Sequence, residues 1–102
     1  MSESYVYAIT DSINIKIGVA RHPYKRLKEL STGNAAKLQL LGFFSGGFEL
    51  ERQLHHRFRK VRENGEWLYA TQELIDYLNT MIVDKHIMLH EGTVKAYMKI
   101  AK

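Results

Sequence analysis

Cysteine is absent from all 102 residues, so disulfides and thiolate metal sites are excluded. That absence fits a reducing compartment. Also missing is any apolar run approaching the roughly 20 residues of a membrane span. The polar start Met1-Ser2-Glu3-Ser4 carries no signal-peptide pattern. A soluble cytoplasmic protein with no membrane partner is the expectation. Internal repeats, low-complexity segments and linkers are lacking too, and 102 residues suffice for one core but not for two. A hydrophobic fraction of 45% and a charged fraction of 25% fit that globular class.

Acidic residues are scarce in one region. Residues 16–62 contain 11 of the 15 Lys and Arg but only 3 of the 11 Asp and Glu, an excess of 8 positive charges in a chain whose net charge is +4. A basic middle of this kind suits a polyanion, because phosphate contacts draw affinity from counterion release. The plain alternative is a solvated basic surface with no partner. Candidates for phosphate contact are Arg21, Lys25 and Lys28, and further along Arg52, Arg59 and Lys60.

Two alternating apolar runs, Tyr5 to Ile9 and Asn14 to Val19, flank the polar turn Thr10-Asp11-Ser12 and predict an antiparallel hairpin. Alternation puts Tyr5, Tyr7 and Ile9 on one face and Val6 and Ala8 on the other. On the second strand, Ile15, Ile17 and Val19 oppose Asn14, Lys16 and Gly18. Residues 21–30 read as a helix, with Pro23 in its first turn, where a missing N–H costs nothing. Tyr24, Leu27 and Leu30 would form its buried stripe, and Gly33 would end it. Leu38 to Phe44 reads as a third strand, buried on both faces. Helical spacing over residues 48–62 places Leu50, Leu54, Phe58 and Val61 inward, with Glu51 and His55 one turn apart at the boundary with solvent. Arg52, Arg59, Lys60 and Arg62 take the opposite side. Asn64-Gly65 is a turn, Trp67 a packing anchor, and Thr71 the cap of a helix that buries Leu74, Ile75, Leu78 and Ile82. Beyond Val83, Ile87-Met88-Leu89 could be a strand and Thr93 to Ala101 a helix.

Taken together, Tyr5-Val6-Tyr7, Lys16-Ile17-Gly18, Arg26-Leu27, Leu50-Glu51-x-x-Leu54-His55-x-x-Phe58 and Gly65-Glu66-Trp67 resemble the GIY-YIG nuclease superfamily. The closer likeness is to a compact phage and bacterial branch often labelled a phage DNA-binding domain. It runs from about Tyr5 to Leu78, which implies a GIY-YIG-like domain over residues 1–83 and a C-terminal extension over 84–102. The implied fold is α+β, a small three-stranded antiparallel sheet flanked by helices.

The implied activity is metal-dependent phosphodiester hydrolysis. Tyr7 would activate or orient the attacking water, and Arg26 would stabilise charge on the phosphoryl oxygens. Glu51 would bind one Mg²⁺ or Mn²⁺ ion, and His55 would relay a proton or contact phosphate. Two departures matter: Tyr5 stands where the first motif has glycine, and Lys16 where the second has tyrosine. Lys16 can act as a base only if its pKa falls from about 10.4 towards neutrality, and otherwise clamps phosphate. Asn64 is a candidate for the family's downstream asparagine, and Glu66 is a candidate of divided role, structural or functional.

Three functions compete. First stands a DNA endonuclease or nickase of phage or mobile-element character, with RNA left open as a substrate. Second is a nucleic-acid-binding module that has lost most or all catalysis, and third a protein-interaction regulator. Without an attached recognition domain, a lone module would cleave with little sequence choice, work as a homodimer, or do something milder.

Overall fold

Strand alternation and turn chemistry decide the first half of the fold. The computed structural model describes residues 3–33 and 37–82. β1 (Tyr5–Thr10) and β2 (Asn14–Ala20) form the expected hairpin, with Tyr7 opposite Gly18 and Ile9 opposite Lys16. Asp11 sets the turn: its Oδ1 accepts the backbone N–H groups of Ile13 at 2.9 Å and Asn14 at 2.7 Å. α1 (Pro23–Ser31) starts on its proline, and Gly33 follows its last turn with φ +76°, where a side chain would be strained. β3 (Gln39–Ser45) returns antiparallel along the other edge of β1, with a bulge opposite Ala8 and Ile9.

α2 (Phe48–Arg57) is shorter than its apolar stripe suggests. The chain tightens into a 3₁₀ turn at Arg59–Val61, and Arg62 already opens β4 (Arg62–Asn64). The stripe survives the change of pitch: Leu54 and Phe58 are buried, while Leu50 and Val61 are packed against the same core.

The expected three-stranded sheet proves to have five strands, in the order β3-β1-β2-β5-β4, every neighbouring pair antiparallel. The extra two are β4 and β5 (Trp67–Tyr69), joined through Gly65 at φ +57°. With three residues each they are too short to show a period of two in sequence. Pairing of Lys16 with Trp67 and Asn14 with Tyr69 adds this hairpin to the open edge of β2. Thr71 caps α3 (Gln72–Met81) by accepting the Leu74 N–H at 3.3 Å.

Two cores lie on opposite faces of the sheet. Val6, Ala8, Ile15, Ile17, Leu41 and Leu68 pack with Leu54 of α2, with Phe58 just past its end, and with Leu74, Ile75 and Leu78 of α3. Across the sheet, Tyr7, Ile9, Leu38 and Leu40 pack with Leu27 and Leu30 of α1. Tyr24, expected in the α1 stripe, is instead 55% exposed. Among the described residues the smaller face of the sheet is covered by one short helix, and its first turn overhangs the β3 edge, where Tyr24 meets the ring of Phe43. The strand and helix expected beyond Val83, and the division at residue 83, lie outside the described residues. No helix among them is long and apolar enough to cross a membrane.

Candidate active site

Register accounts for the first group of side chains. Because Tyr7 and Gly18 are direct cross-strand partners, their side-chain positions share a face, and a Cβ on residue 18 would fall on the Tyr7 hydroxyl. The glycine of Lys-Ile-Gly is therefore the space in which the Tyr7 ring lies. Tyr7 is 1% exposed, and burial is the main cause that raises its pKa; the Arg26 guanidinium, hydrogen-bonded to the hydroxyl, works in the other direction. Glu66 and Glu51 raise it further. Burial thus favours the protonated phenol.

Arg26 is anchored by two groups. The Tyr7 hydroxyl is the larger influence holding it cationic, and Glu29 adds an exposed ion pair at 3.5 Å across one helical turn.

A second group enters from the far side of β2. Beyond Lys16, the β2 edge continues past β5, and its polar groups find other partners there. The Ile17 N–H donates to the Glu66 carbonyl at 3.2 Å, and His55 Nε2–H donates to the Ile17 carbonyl at 3.0 Å. A carbonyl can only accept, so that bond fixes the tautomer and leaves Nδ1 as a lone-pair donor. Glu51 lies one turn earlier on α2 and is 9% exposed. Among the described residues, Glu51, His55 and Glu66 form a cluster whose ligand atoms all lie within 4.8 Å of one another. Burial pushes the Glu51 carboxyl above the usual range, with Glu66 as the next cause; His55 and Lys16 pull it back.

Lys16 bridges the two groups. Its Nζ lies 2.9 Å from Glu66 Oε1 and 5.7 Å from the centre of the Trp67 ring. Carboxylate and indole face both recognise an ammonium, which suits a clamp better than a base. Trp67, read in sequence as structural first and functional second, thus also lies against the lysine.

Tyr7, Arg26, Glu51, His55, Lys16 and Glu66 are accordingly brought together. Glu66, of divided role in the sequence, is a full member. The missed signals are the role of Gly18 and the Lys16–Glu66 pair; the short spacing of Glu66 to the strand residue Trp67 could have exposed the latter had β5 been recognised. Asn64 stands exposed on the edge strand β4. Tyr5 is half-buried, its hydroxyl donating to Glu3 at 2.7 Å. Arg21, Lys25 and Lys28 are exposed around α1, and Arg21 and Lys25 share a concavity with Arg26. Arg52 is exposed on α2, while Arg59 and Lys60 lie exposed in the 3₁₀ turn. Arg59 Nη1 donates to the His56 carbonyl at 2.8 Å, which closes the end of α2.

The donor set suits a hard divalent cation in part and a softer one in part. Two carboxylates and an imidazole match Mn²⁺ better than Mg²⁺, which favours oxygen alone. The His55 bond to a backbone carbonyl is the orienting contact that metal-binding histidines usually have. The Lys16–Glu66 pair is the competing feature, since it engages one of the carboxylates.

The family profile described as the T5orf172 domain matches residues 4–82. No curated protein and no solved structure shows a significant match to the chain.

Proposed function

The chain belongs to the T5orf172 domain family, a phage-associated domain related to nucleases, and from that membership and the carboxylate cluster we propose a metal-dependent nuclease that hydrolyses DNA phosphodiester bonds. The observation that carries the reading is the convergence of Glu51, His55 and Glu66 within 4.8 Å, next to the Tyr7–Arg26 pair. A carboxylate held above its usual pKa first by burial and then by a second carboxylate is uncomfortable in isolation, and a divalent cation relieves both penalties.

Glu51 and Glu66 would hold the cation through oxygen, with His55 Nδ1 as the third donor. When bound, such an ion supplies electrophilic activation of a phosphoryl oxygen. The remaining work falls to the chain's own groups. Arg26, a permanent cation fixed by Tyr7, receives the negative charge that grows on the non-bridging oxygens. Tyr7 O–H donates to the incoming water or to a phosphate oxygen and so sets the line of attack. Lys16 holds the neighbouring phosphate by charge. This reading departs from the one-ligand expectation by adding His55 and Glu66 to Glu51.

One observation favours the second reading, a nucleic-acid-binding module without catalysis. The 2.9 Å Lys16–Glu66 pair already balances one carboxylate without a metal. A homodimer draws no support from the described residues. Plasmid nicking with Mn²⁺ or Mg²⁺, run beside Glu51→Gln, separates the two. Metal-stimulated nicking lost in the variant supports the nuclease; binding without nicking in the wild-type protein leaves the module.

A further inference from the structure

An aromatic ring left in water at the edge of a concavity needs a reason. Tyr24 is such a ring, and it borders an open surface concavity of about 600 Å³ together with Tyr5, Phe43, Arg21, His22 and Lys25. The three rings brace one another edge to face: Tyr5 and Phe43 are 5.2 Å apart at 69°, Tyr24 and Phe43 6.0 Å apart at 81°. Phe43 is anchored in the smaller core, and the Tyr5 hydroxyl is tied to Glu3. The rings are therefore positioned before any ligand arrives.

The cations lie on one side of them. A neighbouring concavity of about 220 Å³ shares Arg21, His22 and Lys25 with the aromatic cleft and continues to Arg26. Arg26 in turn interacts with Tyr7 of the candidate active site. Glu3 lines a third concavity with Tyr5, Arg21 and His22, while the acid of the second concavity, Glu29, is paired with Arg26. Lys25 and Arg26 line the second concavity and not the one with Glu3, so they draw phosphates to that end.

We propose that this cleft binds an unpaired nucleobase, stacked on Tyr24, while the adjoining phosphates run past Lys25 to Arg26. Rings with a cationic border are the combination that recognises single strands, since every base offers a π face and every linkage a charge. Bases inside an intact duplex cannot reach the rings; a base in a single strand, a bulge or a flap can. The inference rests on the nucleic-acid part of the function proposed above and narrows its substrate to DNA with unpaired bases next to the cleaved linkage.

The test is fluorescence anisotropy with a labelled single strand, its fully paired duplex, and that duplex carrying one bulged base. The wild-type protein is expected to prefer the single strand and the bulge. Tyr24→Ala should weaken both by roughly 5- to 150-fold, the loss of one base–ring stack, and leave duplex affinity unchanged. Because Tyr24 is exposed, a thermal melt should show the variant folded. Tyr24→Trp should retain binding, with fluorescence quenching by the single strand beyond that of the wild-type Trp67 signal. Unchanged single-strand affinity in Tyr24→Ala, or an equal loss on single strand and duplex, overturns the proposal. Failure of the wild-type protein to bind any of the three overturns it together with the nucleic-acid reading. Tyr24-dependent binding without Glu51-dependent nicking upholds the cleft and removes only the nuclease.

Discussion

Burial leaves Glu51 beside a second carboxylate, Glu66, and both circumstances penalise its ionised form. A folded-state pKa above the unfolded value means that the native chain binds the proton more tightly. Stability from this group is therefore full below the ordinary carboxylate range and is lost as pH rises through the raised value. Glu51→Gln, which keeps the shape and a donor for Glu66, should melt higher than the wild-type protein at neutral pH. If about 1 kcal/mol is recovered, the midpoint rises by roughly 4–8 °C. The two melting curves should converge in acid, and Mn²⁺ should raise the midpoint of the wild-type protein alone. Equal melting temperatures at neutral pH would mean that Glu51 is not strained by its neighbours. Gly18 makes a separate demand, since Gly18→Ala must displace the Tyr7 ring. Overpacking of this kind costs about 1–3 kcal/mol, and denaturant titration should show it. Nicking should fall with it as Tyr7 moves from Arg26, and an unperturbed, active variant would refute the close packing.

At the level of elements, α2 carries both the fold and the site on one surface. Phe58 is buried and meets the Tyr77 ring at 5.8 Å, so Phe58→Ala should cost about 3–5 kcal/mol. Arg59→Ala, losing one exposed bond to a carbonyl, should change stability by no more than about 0.5 kcal/mol. Chemical unfolding in the reverse order would put the phase of α2 in error, and Glu51 and His55 with it. The phase itself was legible in the sequence, because Leu50, Leu54 and Phe58 repeat at helical spacing whatever the helix does after Arg57. So were the first hairpin and the faces of Tyr7 and Lys16, where a period of two and a polar turn agree. β4 and β5 were not, because three-residue strands are created by the β2 edge they pair with and carry little pattern of their own. Missing them hid the approach of Glu66 to Lys16. Tyr24 failed for the opposite reason: its spacing is right for burial, but the sheet beneath the first turn of α1 ends at Phe43.

Across the whole molecule the excess of 8 positive charges in residues 16–62 is not one uniform patch. Some cations are engaged by the fold: Arg57 lies 4.8 Å from the Tyr77 ring centre and 5.1 Å from that of Phe58, a packing role on the side of α3. A second kind, Lys25 among them, borders the surface that leads to Arg26, and Arg21 lies on the same border with an interaction of its own. If the second kind forms the phosphate footprint, duplex affinity should fall linearly on a log–log plot against salt. Each neutralised cation that contacts a phosphate should then lower the slope by about 0.9. Arg21→Ala with Lys25→Ala is expected to flatten the plot by close to two such steps, with Arg57→Ala leaving the slope unchanged while lowering thermal stability. Anisotropy titrations from about 50 to 200 mM salt span the range in which six to ten contacts change affinity by roughly 10³–10⁵. Binding that ignores salt over that range would refute the phosphate footprint. A slope that responds to Arg57 and not to Arg21 and Lys25 would move the nucleic acid to the opposite side of the sheet, away from Tyr7 and Arg26.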